Sequence, residues 1–109
     1  VKPFLVDTGP LVALIRKADR DHTRCADFAA KVNSPLLTTW PVITEAAWLL
    51  RGNDRDVDAL LQIVGDGFVS VDPLDPSAAK WIRDFNARYA DQKPQLADAT
   101  LMYLADTLK

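Results

Sequence analysis

Three acidic residues could converge on one site, and one of them, Glu45, stands where a solvating charge is least useful. The 109-residue chain carries 15 acids, of which 14 are Asp and one, Glu45, is Glu. Most of the Asp, among them Asp19, Asp21, Asp54, Asp56, Asp72 and Asp75, fall in polar loops or at helix starts, where Asp forms turns and caps. Glu45 instead lies within Pro41-Val-Ile-Thr-Glu-Ala-Ala-Trp-Leu-Leu-Arg-Gly52, a segment apolar nearly all round, and such a helix is expected to be buried. At helical spacing its neighbours are Pro41, Val42, Trp48 and Leu49. An unpaired buried carboxylate needs a cation, a proton or a partner. The alternative is a Glu paired with a buried Arg or reaching out to solvent. Asp7 directly follows the apolar run Pro3-Phe-Leu-Val6, and in open α/β sheets ligands gather beyond the carboxyl ends of strands. Asp7 could equally be the cap of the helix that follows. Asp98 has Leu101, Met102 and Ala105 as helical neighbours, and its plain reading is an acid in a first turn, favoured by the macrodipole.

If these carboxylates converge, the absence of a matching set of Lys or His points to a hard divalent cation such as Mg²⁺ or Mn²⁺. The natural work of such a site is phosphodiester chemistry, in which a metal ion lowers the pKa of water and stabilises the attacking and leaving oxygens. The other chemical side chains are less telling. His22, the only His, reads as a surface or helix-packing residue. Cys25, the only Cys, reads as core, because no basic environment surrounds it. Trp40, Trp48 and Trp81 lie in apolar patterns that read as core or interface. Arg16, Lys17, Arg20 and Arg24 form the one basic cluster, either a solvated loop or a contact for an RNA backbone or a protein.

Strands and helices must alternate to position these residues. Pro3–Val6 reads as a buried strand, followed by a helix opening at Gly9-Pro10 and running to about Arg16. A second, amphipathic helix spans Asp21 to about Val32. Leu36–Trp40 reads as a second strand, followed at once by a helix over Pro41–Leu50. Arg51–Asp54 stops that helix and caps another, from about Arg55 to Val64. Phe68–Val71 is a third strand, and helices follow over Ser77–Ala90 and Leu96–Lys109, broken by Lys93-Pro94. Such alternation predicts an α/β fold with a parallel sheet and right-handed crossovers.

Composition narrows the function classes. Hydrophobic residues make up 49% and charged residues 26% of the chain, which excludes global disorder. A formal net charge of −2 excludes a protein that binds nucleic acid merely by coating phosphates with Lys and Arg. It leaves room for a nucleic-acid enzyme in which metal ions supply positive charge. One cysteine excludes an internal disulfide and a multi-Cys zinc site. No apolar run approaches a membrane span and no signal peptide opens the sequence, so a reducing cytoplasmic setting is expected.

Phe4-Leu-Val-Asp-Thr-Gly-Pro-Leu-Val-Ala-Leu14, then Thr44-Glu-Ala46, then Tyr89-Ala-Asp91 and Leu96-Ala-Asp-Ala-Thr100 follow one another along the whole chain. In this order and context they resemble the PIN-domain ribonucleases, in particular the VapC-type toxins of toxin–antitoxin pairs. The resemblance implies a single PIN-like domain over residues 1–109, an α/β three-layer fold with a central parallel sheet in strand order 3-2-1-4-5. Strands 1–3 lie in this chain. It implies a ribonuclease using Mg²⁺ or Mn²⁺, with Asp7, Glu45 and Asp98 as catalytic metal-holding acids. Thr8 and Thr100 match small hydroxyl positions beside the site, and Asp91 matches an acid seen before the last helix. RNA as substrate, an antitoxin protein, a homodimer and a cytoplasmic location are implied in the same way. The family pattern continues into a fourth strand, a Thr-x-Asp-like segment with a fourth acid, and a fifth strand, so a C-terminally incomplete domain is expected, with strand one at a bare edge.

Three rival functions share the sequence features. A receiver-like signalling domain also places Asp at strand ends, here Asp7 and Asp72, and requires the first and third strands to be adjacent. A haloacid-dehalogenase-like phosphatase requires an acid two residues after its nucleophilic Asp, where this chain has Gly9. A non-catalytic binding module on the same fold is the third.

Overall fold

A computed structural model describes residues 2–109. Three short strands, β1 (Phe4–Leu5), β2 (Leu36–Thr39) and β3 (Val69–Asp72), form one parallel sheet with β2 in the centre. Six helices surround it: α1 (Thr8–Ile15), α2 (His22–Lys31), α3 (Trp40–Leu49), α4 (Asp54–Gly65), α5 (Ala78–Arg88) and α6 (Leu96–Thr107). A single 3-10 turn, Ala90–Gln92, lies between the last two. Read across the sheet the order is 3-2-1, as the PIN resemblance implies. The same order removes the receiver reading, because β3 pairs with β2 and not with β1. Asp72, the second acid that reading needed, instead accepts the Leu74 amide at 2.8 Å within a turn.

Local chemistry explains where the elements start. The Asp7 carboxylate accepts the Thr8 amide at 2.7 Å and caps α1, so the helix begins at Thr8, earlier than Gly9-Pro10 alone suggests. Pro10 falls within the first turn, where a missing N–H costs nothing. β2 passes into α3 with no loop: Thr39 is still extended at φ −130° and ψ 161°, Trp40 is already helical, and Pro41 sits in the first turn. Trp40 therefore belongs to the helix and not to the strand. Asn53 caps α4 by accepting the Arg55 and Asp56 amides. Asp75 accepts the Ser77 amide at 2.9 Å, a bond that holds its carboxyl below the usual range.

The main core lies between the sheet and α1, α3 and α4, built on Leu11, Val42, Ile43, Ala46, Leu50, Leu60 and Val69. A smaller cluster joins α5 to α6 through Ala78, Ile82 and Ala99, with Trp81, Phe85 and Tyr103 packed against it. Trp81 stacks on Phe85 with ring centroids 5.3 Å apart and donates its indole N–H to Asp106 at 3.2 Å.

Two hydroxyls secure the carboxyl end of β2. The Thr38 hydroxyl donates to the Val6 carbonyl at 2.7 Å, extending the hold on β1 past its ladder. The Thr39 and Thr100 hydroxyls meet at 2.7 Å, and Thr100 donates to the Ala97 carbonyl at 2.7 Å. A hydroxyl has one proton, so the direction is Thr39 to Thr100 to Ala97. All three threonines are buried. Thr100→Val is expected to destabilise the protein by about 1–3 kcal/mol, because it strands the Thr39 donor. The double variant with Thr39→Val should lose less than the sum of the two singles. Urea denaturation of the four proteins of the cycle measures this.

Candidate active site

Two of the three acids, Asp7 and Glu45, are linked through Thr8 at the carboxyl end of the sheet, where parallel sheets hold ligands. Asp7 is the residue after Val6, whose amide still bonds to the Leu37 carbonyl at 2.9 Å. Its carboxylate is exposed and lies at the start of α1, where the macrodipole favours negative charge. Thr8, buried beneath it, donates its hydroxyl to Glu45 Oε1 at 3.2 Å. One dipeptide at the start of α1 thus links the acid after β1 to the acid on α3. Capping and site formation are not alternatives for Asp7, since the cap uses one carboxylate oxygen and leaves the group open to solvent.

Glu45 is half-buried, and α3 is not enclosed all round as its composition suggests. Trp40, Thr44 and Trp48, one turn apart, are exposed, with 50% of Trp40 and 62% of Trp48 accessible. Neither of these two tryptophans is core. The opposite face, Val42, Ile43 and Ala46, is packed against the core, and Glu45 sits at the border between the two. Within the described residues, neither Asp7 nor Glu45 pairs with Lys or Arg.

Asp98 is exposed in the first turn of α6. That helix is brought to the end of β2 by Thr100, but no hydrogen bond joins Asp98 to Asp7 or Glu45. Among the described residues, no three His, Cys, Asp or Glu side chains stand close enough together to hold a metal ion as a group. Asp91 is exposed in the 3-10 turn. Thr39 was not evident as a contributor from sequence. A pair of threonines closing an otherwise apolar strand is the signal that marks it.

The remaining chemical residues have structural roles. His22 donates from Nδ1 to the Ala13 carbonyl at 2.8 Å, the carbonyl fixing the tautomer, and so ties α2 to α1. Cys25 is partly buried and lines an apolar cleft of about 340 Å³ with Phe4, Leu14, Phe28 and Leu36. The basic cluster is divided. Arg24 pairs with Asp21 at 3.0 Å and Arg20 lies 4.0 Å from the same carboxylate, whereas Arg16 turns away and donates to the Leu49 carbonyl at 2.7 Å.

The fold is similar to that of VapC20 from Mycobacterium tuberculosis, whose crystal structure is described as that of a sarcin–ricin loop cleaving toxin. The TM-score is 0.85, the sequence identity is 22%, and the match covers 94% of this chain and 81% of that one. No family model and no curated protein matches the sequence. The likeness is one of architecture: the PIN-like α/β fold, with its parallel sheet and flanking helices, is the fold of this chain. No helix is long and apolar enough to cross a membrane among the described residues.

Proposed function

We propose that the chain is a divalent-metal-dependent endoribonuclease of the VapC toxin type, hydrolysing RNA phosphodiester bonds in the cytoplasm. The observation that carries this reading is the Asp7–Thr8–Glu45 linkage at the carboxyl end of the sheet, in a fold shared with an RNA-cleaving toxin. Residues 1–109 are read as one PIN-like domain.

The donor set fits a hard cation. Asp7, Glu45 and Asp98 offer only carboxylate oxygens, and no Lys or Arg neutralises them among the described residues. Mg²⁺ is commonly held by one or two carboxylates, keeping waters and adding substrate phosphates, so a ready cage of three acids is not required. When bound, Mg²⁺ or Mn²⁺ supplies the positive charge that this acidic protein lacks and makes water a better nucleophile. The chain's own contribution is positional. Thr8 fixes one Glu45 oxygen and leaves the other free. The start of α1 sets the direction of Asp7, and Thr39 and Thr100 set the height of α6 and with it Asp98. Asp91, the acid before the last helix, is kept as a supporting residue on the resemblance alone. The expected products carry a 5′-phosphate.

Cleavage of RNA in Mg²⁺ or Mn²⁺, and its loss in EDTA, tests the reading; cleavage that survives EDTA refutes it. Thr8→Val, nearly isosteric, is expected to reduce the rate about 10–100-fold, the usual effect of removing a hydrogen bond that orients a metal ligand. Single-turnover kinetics across a metal titration checks it, and a rate equal to wild type removes Thr8 from the site. A homodimer and an antitoxin protein whose cationic side chain meets the acidic site complete the proposal. Light scattering and co-purification from the native host address them.

A further inference from the structure

We propose that a second site, a basic groove at the far ends of α1 and α3, binds the phosphate backbone of RNA several nucleotides from the point of cleavage. The inference rests on the ribonuclease reading for the identity of the polyanion. The groove has a volume of about 670 Å³ and runs between Ile15–Ala18, Leu49–Leu50 and the start of α4. Its charged lining is Arg16, Lys17, Arg55 and Asp56, three cations against one carboxylate. Arg51 stands next to lining residues Leu50 and Gly52, and Asp54 next to Asn53 and Arg55, so four cations face two carboxylates at these helix ends. In a chain whose net charge is −2, this is a local reversal of sign.

None of the four cations is spent on an ion pair among the described residues, unlike Arg20 and Arg24, which share Asp21. Two are held in place by other means. The Arg16 guanidinium is anchored on the Leu49 carbonyl at 2.7 Å. Arg51 lies 3.6 Å over the Trp48 ring and bonds to the Trp48 carbonyl at 2.7 Å. A guanidinium already positioned loses less freedom when it meets a phosphate. Asn53 occupies the first amides of α4, so the side chains, not the helix terminus, would meet the anion.

The position of the groove favours RNA over an acidic peptide. α1 starts at the acids, with Asp7 as its cap, and ends at the groove; α3 carries Glu45 and ends there too. Seven helical steps from Thr8 to Ile15 span about 10 Å. A polyanion lying along α1 with one phosphate at the acids would reach the groove a few units later. Trp48 is 62% accessible; Arg51 covers one face of its ring, and the other is the face that could stack an unpaired base.

Lys17 and Arg55 are both exposed, so a Lys17→Gln/Arg55→Gln double variant should fold as the wild type does; thermal melting verifies this. The test is the fluorescence anisotropy of a labelled single-stranded RNA of mixed sequence, titrated in EDTA at several salt concentrations. Affinity at low salt should fall about tenfold. The slope of log affinity against log salt should flatten by about 1.4, two contacts at about 0.7 each. A Lys80→Gln/Arg83→Gln variant, altered on α5, should keep both values. Equal losses in the two variants, or wild-type affinity and slope in the first, would overturn the proposal. RNA binding kept while binding of labelled polyglutamate is lost would assign the groove to a protein partner and also overturn it. Because the measurement needs no metal and no cleavage, groove-dependent binding by a protein that never cuts RNA sinks only the nuclease reading. Metal-dependent cutting with groove-independent binding sinks only this one.

Discussion

Asp7→Asn is expected to leave the protein folded and to lower RNA cleavage by about 100-fold or more. The two halves of this result separate two roles that share one side chain. As a cap, Asp7 accepts the Thr8 amide, and Asn caps a helix about as well. As a metal-holding acid, Asp7 contributes a full negative charge that Asn lacks. Misplacing reacting groups by about 1 Å already removes about 100-fold in rate, and losing a ligand charge should do no less. Asp7→Ala would confuse the matter, since loss of the cap alone destabilises by about 0.5–2 kcal/mol. Glu45→Gln and Asp98→Asn should show similar losses. Circular dichroism and cleavage of a labelled RNA in saturating Mg²⁺ decide the outcome. An Asp7→Asn protein with undiminished activity would leave Asp7 as a cap and nothing more.

The largest expected effect on stability comes from Leu11→Ala. Leu11 is fully buried at the centre of the main core, on the helix whose first turn carries Thr8. Its truncation removes transfer free energy and leaves a cavity, a combined loss of about 2–5 kcal/mol. That is a large share of the roughly 5–15 kcal/mol by which domains of this kind are stable. Urea unfolding should show a lower midpoint with an unchanged slope. A midpoint like that of wild type would mean that the packing around Leu11 collapses without loss.

The alternation of apolar runs and breakers showed the strands and helices, because burial on both faces leaves parallel strands with short, continuous apolar segments such as Phe4-Leu5-Val6 and Leu36-Leu37. Boundaries shifted by a residue or two where a side chain decided them. Asp7 pulled α1 forward to Thr8, and the direct junction at Thr39 gave Trp40 to α3. The faces of α3 were not readable. A helix apolar on every side has no period to show which side is buried, and only the packing of its neighbours turns Trp40 and Trp48 outward. Glu45 stood out by its apolar surroundings and Asp7 by its place after a strand, while Asp98 was singled out by the family resemblance; the distances between the three are tertiary facts. So is the division of the Arg16–Arg24 cluster, which depends on the single carboxylate of Asp21.

The bond between Thr39 and Thr100 reaches across 61 positions of sequence. It therefore also orders events in time. A chain made from its amino end holds Asp7 and Glu45 well before α6 exists. At about 5–20 residues per second, the stretch from Glu45 to Thr100 takes several seconds to synthesise, and further chain must emerge before α6 can dock against β2. Until α6 docks, Asp98 is either not yet made or not yet held in place. Under the proposed reading, the nascent protein is harmless to the RNA machine that is building it, and its cutting power arrives only when α6 docks.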